Sequence, residues 1–180
     1  MGSLLEGRRW LSAGTGEAVA SLPAAAARPL IVLYFGSSWC PASKRFLPML
    51  VDFDEEVQDQ PNALATVFHV SSDHSDEAFR AGLKQLPPDW LVLDFAEGAH
   101  AAALANTLGV TSLPSLVVLR AADGAVVSPP SAGRKELVTG PHRAVPLWAS
   151  RASSDELPPP PALEAPRPPS PASAAAAAAG

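Results

Sequence analysis

The residue in this chain best suited to covalent chemistry is Cys40, its only cysteine, in the stretch Trp-Cys-Pro-Ala-Ser at 39–43. A continuous apolar run at 30–35 precedes it, and an amphipathic segment follows it. Cys40 should therefore lie between a buried strand and the start of a helix. A helix N-terminus carries unpaired N–H groups and a partial positive charge, which favour thiolate over thiol. We therefore predict a nucleophilic Cys40; the alternative is a buried cysteine without a role.

Residues just after the cysteine fit this chemistry. Ser43 can donate a hydrogen bond to the Cys40 thiolate, which keeps the pKa of the thiol low. Lys44, together with Arg45, adds positive charge one turn into the helix. Cys40 and Ser43 are thus the predicted catalytic residues, and Lys44 is the predicted thiolate-stabilising residue.

Four further residues are predicted to bind a substrate. Trp39 should flank the sulfur with a broad apolar surface, and Pro41 suits a first helical turn, where its missing N–H costs nothing. Leu113 and Pro114 precede another apolar run. A cis bond between them would present the Leu113 backbone to an extended peptide, whereas a trans proline would only start a strand. We expect the cis form and a groove for extended peptides.

The hydrophobic pattern predicts alternating strands and helices around these residues. Strands are predicted at 30–35, 63–72, 90–95, 115–120 and 125–128, and helices after Cys40, at 72–86 and at 99–110. Residues 3–12 should add an edge strand and 17–22 a short helix, while 135–148 are only weakly helical in pattern. This order indicates an α/β fold, with a central mixed β-sheet flanked by helices.

Composition divides the chain into three segments. Residues 1–29 form an N-terminal edge segment, residues 28–150 form the domain with the site, and residues 151–180 form a tail rich in proline and alanine. Such a tail has little to bury and should be disordered. It could form a polyproline II helix that binds a proline-recognising domain, but a solubilising tail is the favoured interpretation.

Several functions are disfavoured by composition. The net charge of −5 argues against nucleic-acid binding, and the longest apolar run is too short for membrane insertion. A single cysteine allows no internal disulfide, which favours a reducing compartment. The four histidines lack metal-ligand spacing, so neither a metal nor another cofactor is expected. Asp73 and His74 are expected in a loop, although their strand end could approach the site.

The order and content of these motifs resemble the thioredoxin superfamily, and within it the tryparedoxin and nucleoredoxin branch. The resemblance lies in LYFGSSWCPASKRFLPML (33–50), VFHVSSDHSDEAF (67–79), WLVLDF (90–95) and LGVTSLPSLVVL (108–119). Tyr34 stands where ordinary thioredoxins keep a buried aspartate, as in the nucleoredoxin branch. The chain most resembles the short retinal nucleoredoxin-like proteins, of the rod-derived cone viability factor type.

This resemblance implies a thioredoxin-like fold and a thiol–disulfide oxidoreductase of the protein-disulfide reductase type. It also implies photoreceptor maintenance, protection against oxidative stress, and a cytoplasmic or nuclear location, with secretion without a signal peptide left open. The chain departs from the family pattern in two places. Ser43 replaces the resolving cysteine, and Asp94 replaces a proline.

Three hypotheses follow, because Ser43 cannot resolve a mixed disulfide. The favoured one is a monothiol oxidoreductase, in which Cys40 attacks protein disulfides and glutathione or another thiol acts as co-substrate. The second is a redox-inactive binding module that keeps the groove of Trp39, Leu113 and Pro114. The third is a trophic or signalling protein whose groove or tail contacts a receptor.

Overall fold

The computed structural model describes residues 4–20, 28–59, 63–154 and 157. The strands are β1 (Trp10–Ser12), β2 (Leu30–Gly36), β3 (Ala65–Ser71), β4 (Leu91–Leu93), β5 (Ser115–Arg120) and β6 (Val126–Ser128). The helices are α1 (Pro41–Gln58), α2 (Asp76–Leu83), α3 (Gly98–Thr107), α4 (Pro130–Thr139) and α5 (Pro141–Ala152), with a short 3₁₀ helix (Phe95–Glu97) before α3.

The strands form one mixed sheet in the order β1-β4-β3-β2-β5-β6. Strands β2, β3 and β4 are parallel, whereas β1, β5 and β6 pair antiparallel with their neighbours. All seven residues of β2 are buried, as expected for an unbroken apolar run in the middle of a sheet. The predicted α/β fold with a central mixed sheet flanked by helices is confirmed.

Successive side chains of β2 enter two separate apolar cores, because side chains alternate between the faces of a sheet. Val32 and Tyr34 pack with residues of α1, α2, α4 and α5. Leu33 and Phe35 pack on the opposite face with residues of α3. The helix that begins after Cys40 is thus anchored to the same face of the sheet as Tyr34.

The N-terminal segment supplies an edge strand, as predicted, but the short helix predicted at 17–22 is wrong in its described part. Ala18 forms a β-bridge with Leu11, and the Val19 N–H donates to the Trp10 carbonyl at 2.9 Å. The chain therefore folds back along β1, where the backbone finds hydrogen bonds that a one-turn helix would lack. Residues 21–22 lie outside the described part.

The C-terminal end of the domain is more regular than its pattern suggested. The segment at 135–148 belongs to two helices, α4 and α5, whose prolines obscure the helical pattern. Helix α5 continues to Ala152, so the predicted boundary at 151 falls inside its last turn. An ion pair of 2.7 Å between Arg151 Nη1 and Glu136 Oε1 fastens this turn to α4. The tail predictions for 155–156 and 158–180 concern residues outside the described ranges.

Asp94, the second departure from the family pattern, fastens the sheet edge. Its carboxylate accepts a hydrogen bond from the Ala96 N–H at 3.0 Å and pairs with Arg9 Nε at 2.8 Å. It thereby caps the 3₁₀ helix and ties the loop after β4 to the residue that precedes β1. A proline at this position would supply neither interaction.

Candidate functional site

Cys40 is the N-cap residue of α1, as its position in the sequence predicted. Pro41 is the first residue of the helix and is exposed. The cysteine side chain is 9% exposed, and its Sγ lies 4.0 Å from the Leu113 carbonyl oxygen. Cys40 therefore sits beyond the carboxyl end of the central strand, against the loop that precedes β5.

The Leu113–Pro114 peptide bond is cis, as predicted. Two hydrogen bonds hold the loop around it: Ser115 Oγ donates to the Ser112 carbonyl at 2.6 Å, and Arg134 Nη1 donates to the Pro114 carbonyl at 3.3 Å. Arg134 lies on α4, so this helix supports the loop. The structure thus brings Leu113 and Pro114 beside the thiol.

The surroundings of Cys40 lower the pKa of its thiol. The Ser43 backbone N–H is the main cause and the Ser43 hydroxyl the next, while partial burial acts in the opposite direction. The Ala42 N–H and the charge of Arg45 lower the pKa further. The Ser43 and Ala42 N–H groups are free N–H groups of the first helical turn. They stabilise a thiolate as they would any anion at a helix N-terminus. Lys44, which was predicted for this role, is not among these causes, whereas its neighbour Arg45 is.

Ser43 is 2% exposed, and within the described residues its Oγ makes no regular hydrogen bond. It nevertheless lies close enough to two groups to affect both: its hydroxyl lowers the pKa of Cys40 and that of the Tyr34 phenol. Burial outweighs this effect at Tyr34 and raises the pKa of the phenol to about 12. Tyr34 therefore keeps its proton at neutral pH and can act as a hydrogen-bond donor.

Trp39 projects from the loop ahead of the cysteine and is 49% exposed. Its Nε1 donates to the Ser72 carbonyl at 3.1 Å, and its indole stacks on the imidazole of His74. The side chain is therefore held in place while much of its surface stays open to solvent. This arrangement suits the predicted role of Trp39 in contacting a substrate.

The loop after β3 contributes more to the site than its sequence suggested. Asp73 Oδ1 accepts hydrogen bonds from Ser38 N at 2.8 Å and Ser38 Oγ at 2.7 Å, and Oδ2 accepts one from Ser71 Oγ at 2.7 Å. Asp73 and His74 lie in a loop, as expected, and this strand end also approaches the site, since both residues hold the segment ahead of Cys40. The sequence signal for this role is that Asp73 comes just after β3. This strand pairs with β2, the strand that precedes Cys40.

His69, which sequence analysis did not place at the site, lies on β3 beneath the thiol region. Its ring stacks on Tyr34 with 4.9 Å between centroids, and its Nδ1 lies 3.2 Å from the Tyr34 carbonyl oxygen. A carbonyl only accepts, so Nδ1 carries the hydrogen. Burial lowers the pKa of His69 to about 4, so the ring is neutral at physiological pH.

The described residues contain no group of three or more His, Cys, Asp or Glu side chains that could hold a metal ion. Within the same ranges, no helix is long and apolar enough to cross a membrane.

Comparison with known proteins agrees with this geometry. A protein-family model described as thioredoxin-like matches residues 29–126. The chain is similar to tryparedoxin from Trypanosoma brucei brucei, with 33% identity over 97 residues, which cover 54% of this chain and 65% of that protein. It is also similar to nucleoredoxin-like protein 1 from Homo sapiens, with 33% identity over 103 residues, which cover 55% of this chain and 48% of the human protein.

A solved structure has the same architecture. Tryparedoxin II complexed with glutathionylspermidine superposes with a TM-score of 0.64 at 29% identity, over 74% of this chain and 87% of that one. The match spans less than two thirds of either curated relative, but most of this solved domain.

Proposed function

Because the chain belongs to the thioredoxin-like family, we propose that it exchanges disulfides through the single thiol of Cys40, with glutathione or a similar external thiol completing each cycle. The observation that carries the proposal is the position of Cys40 Sγ. It lies at the N-terminus of α1, where Ser43 lowers the pKa of the thiol, and 4.0 Å from the Leu113 carbonyl. A stabilised thiolate beside the peptide backbone of the Leu113–Pro114 loop can attack a disulfide held there.

The reaction runs in two exchanges. The Cys40 thiolate attacks one sulfur of a substrate disulfide, forms a mixed disulfide, and releases the other sulfur as a thiolate that takes up a proton. A glutathione thiolate then attacks the substrate sulfur of this mixed disulfide and releases Cys40 as a thiolate. A second glutathione reduces the resulting glutathione–substrate disulfide, so one disulfide is reduced and one glutathione disulfide is formed.

The external thiol is needed because Ser43 occupies the position of a resolving cysteine. A hydroxyl cannot displace a thiolate from a disulfide, so the enzyme-bound intermediate waits for a thiol from solution. Glutathione is the thiol we propose, and the tryparedoxin II complex with glutathionylspermidine supports this choice of chemical class. Tryparedoxin and nucleoredoxin relatives support the general activity.

The substrates we propose are protein disulfides presented in an extended segment. The cis Leu113–Pro114 loop offers backbone groups, and the half-exposed Trp39 offers an apolar surface for the neighbouring side chains. Resemblance to the retinal nucleoredoxin-like proteins extends the proposal to protection of cytoplasmic or nuclear proteins in photoreceptors under oxidative stress.

A second candidate is a binding module without turnover, favoured by the replacement of the resolving cysteine by Ser43. In this candidate the same groove binds a partner, but the Cys40 thiol takes no part in a reaction. The two candidates differ in whether removal of the thiol abolishes the activity or leaves partner binding intact.

Glutathione-dependent reduction of a glutathionylated peptide separates these candidates. With purified protein, we expect glutathione disulfide to form at least tenfold faster than with Cys40→Ser. The Ser153→Ala variant, with a change on the exposed end of α5, serves as the matched control and should keep the wild-type rate. A rate equal to that of Cys40→Ser would reject the enzyme, and retention of peptide affinity in Cys40→Ser would support the binding module.

A further inference from the structure

A small cavity with both polar and apolar lining lies behind the segment that carries Cys40. It is bordered by the first turns of α1, the carboxyl ends of β2 and β3, and α2, is partly open, and has a volume of about 30 Å³. Tyr34, Ser37, Ser43, His69 and Asp73 are among its lining residues. Cys40 is not among the lining residues, but Ser43, whose hydroxyl lowers the pKa of the Cys40 thiol, is one of them.

Two hydroxyl groups that line the cavity, Ser37 Oγ and Ser43 Oγ, make no hydrogen bond of regular geometry within the described residues, although the Ser43 hydroxyl is close enough to Cys40 and Tyr34 to lower the pKa of each. Their residues are 6% and 2% exposed. Buried polar groups in folded proteins almost always bind either another protein group or an ordered water molecule. Two such hydroxyls on one cavity therefore indicate a shared ligand that is small and can both donate and accept.

The cavity has the size and the lining that a water molecule requires. A buried water needs roughly 10–15 Å³ of accessible volume and two to four polar partners. The phenol of Tyr34, which also lines this space, supplies a third polar group. We propose that a buried water molecule occupies this cavity and bridges Ser37 Oγ to Ser43 Oγ, so that Ser37 is a positioning residue for the hydroxyl that faces Cys40.

The bridge matters because a serine hydroxyl has only one hydrogen. To stabilise the Cys40 thiolate, Ser43 must direct that hydrogen toward Sγ, which leaves its oxygen lone pairs in need of a donor. The water donates to Ser43 and is itself held by Ser37. Ser37 therefore acts on the thiol only through Ser43. This inference rests on the proposed function in taking the thiolate as the reactive species.

The test is the pH dependence of Cys40 alkylation by iodoacetamide, which reports the pKa of the thiol whether or not the protein turns over glutathione. We expect Ser43→Ala to raise the midpoint and Ser37→Ala to raise it by about half a unit, equivalent to roughly a threefold loss of reactivity below the midpoint. The double variant should match Ser43→Ala alone, because Ser37 acts through Ser43. Ser37→Thr, which keeps the hydroxyl, should restore the wild-type midpoint.

Ser128 provides the matched control. It is also buried, but its Oγ on the edge strand β6 has a partner, since it donates to Glu136 Oε2 at 2.6 Å. Ser128→Ala should lower the thermal unfolding temperature and leave the alkylation midpoint unchanged. An unchanged midpoint in Ser37→Ala, or additive shifts in the double variant, would overturn the proposal.

Water–protein cross-relaxation in the unmodified protein tests the bridge without any substitution. A long-lived water near the Ser37 and Ser43 amides is expected, and its absence rejects the inference even if Ser37→Ala fails to fold. A protein that shows the shift in Ser37→Ala but no glutathione turnover would retain this inference and lose the proposed function. Glutathione turnover without a shift of the alkylation midpoint in Ser37→Ala would retain the proposed function and reject this inference.

Discussion

The indole of Trp39 stacks on the imidazole of His74, with 5.1 Å between ring centroids and 18° between ring planes. The same indole donates Nε1 to the Ser72 carbonyl at 3.1 Å. The loop ahead of the nucleophile is therefore fastened to the loop after β3. Two aromatic rings thus form one surface beside the segment that leads into Cys40.

Asp73 is expected to be the main polar support of this pair of loops. Asp73→Asn replaces one of the two accepting oxygens with an amide nitrogen, which can only donate, so it leaves a Ser38 or Ser71 group unpaired. We expect a loss of about 1–3 kcal/mol in the free energy of unfolding, measured by urea denaturation, and slower alkylation of Cys40. Asp76→Asn makes the same charge change at an exposed ion pair and should alter neither quantity appreciably. Equal losses in the two variants would contradict the proposed support.

Ser43→Cys is expected to return a resolving thiol to the site. Residue 43 already lies close enough to Cys40 for its hydroxyl to lower the pKa of the thiol, so a sulfur there could attack the mixed disulfide. Intact-mass measurement after treatment with a peptide disulfide should show a stable adduct on the wild-type chain. In Ser43→Cys the adduct should disappear without glutathione, leaving an internal disulfide. Ser128 is a buried serine on β6, and Ser128→Cys is the control, which should keep the peptide adduct on Cys40. Loss of the adduct in Ser128→Cys would show that a thiol next to Cys40 is not required.

His69 makes the folding stability of the protein depend on pH. Its folded-state pKa of about 4 lies below the ordinary value of 6.5, so between these values the unfolded chain binds more protons. Stability from this group is present above pH 6.5 and is lost as the pH falls toward 4. Denaturation at pH 7 and pH 5 should show a loss of about 2 kcal/mol that His69→Asn lacks. The exposed His142 offers a control, since His142→Asn should lose the same free energy of unfolding between pH 7 and pH 5 as the wild type. An equally large loss in His69→Asn would refute the assignment of this pH dependence to His69.

Gly133 allows α4 to lie directly on the central sheet. A Cβ at this position would collide with the Leu116 carbonyl of β5, which cannot move without disturbing the sheet. Gly133→Ala should therefore lower the free energy of unfolding by about 1–3 kcal/mol in thermal or urea unfolding. At Gly98, the first residue of α3, an added Cβ meets no atom within 4 Å, so Gly98→Ala should be neutral or stabilising by up to about 1 kcal/mol. Similar effects at both glycines would show that packing does not decide the outcome.

Local pattern was sufficient for much of the fold. The apolar run of β2 and the helix after Cys40 were both predicted, because each depends on neighbouring residues. The cis bond before Pro114 was also predicted, but from its place among the motifs. The helix expected at 17–22 was wrong because pairing with β1 supplied the backbone with better partners than a short helix could.

What the sequence determined by itself is the nucleophile: a cysteine between a buried strand and a helix, with a serine where a second thiol would stand. Tertiary structure decided what surrounds it. Parallel pairing places Gly36 opposite Ser71, so the loops after β2 and β3 leave the same edge of the sheet and bring Asp73 to the segment ahead of Cys40. The cavity that Ser37 and Ser43 line is completed by His69 of β3 and by Phe79 and Leu83 of α2. Register between strands depends on the packing of whole side-chain faces, which no short stretch of sequence specifies.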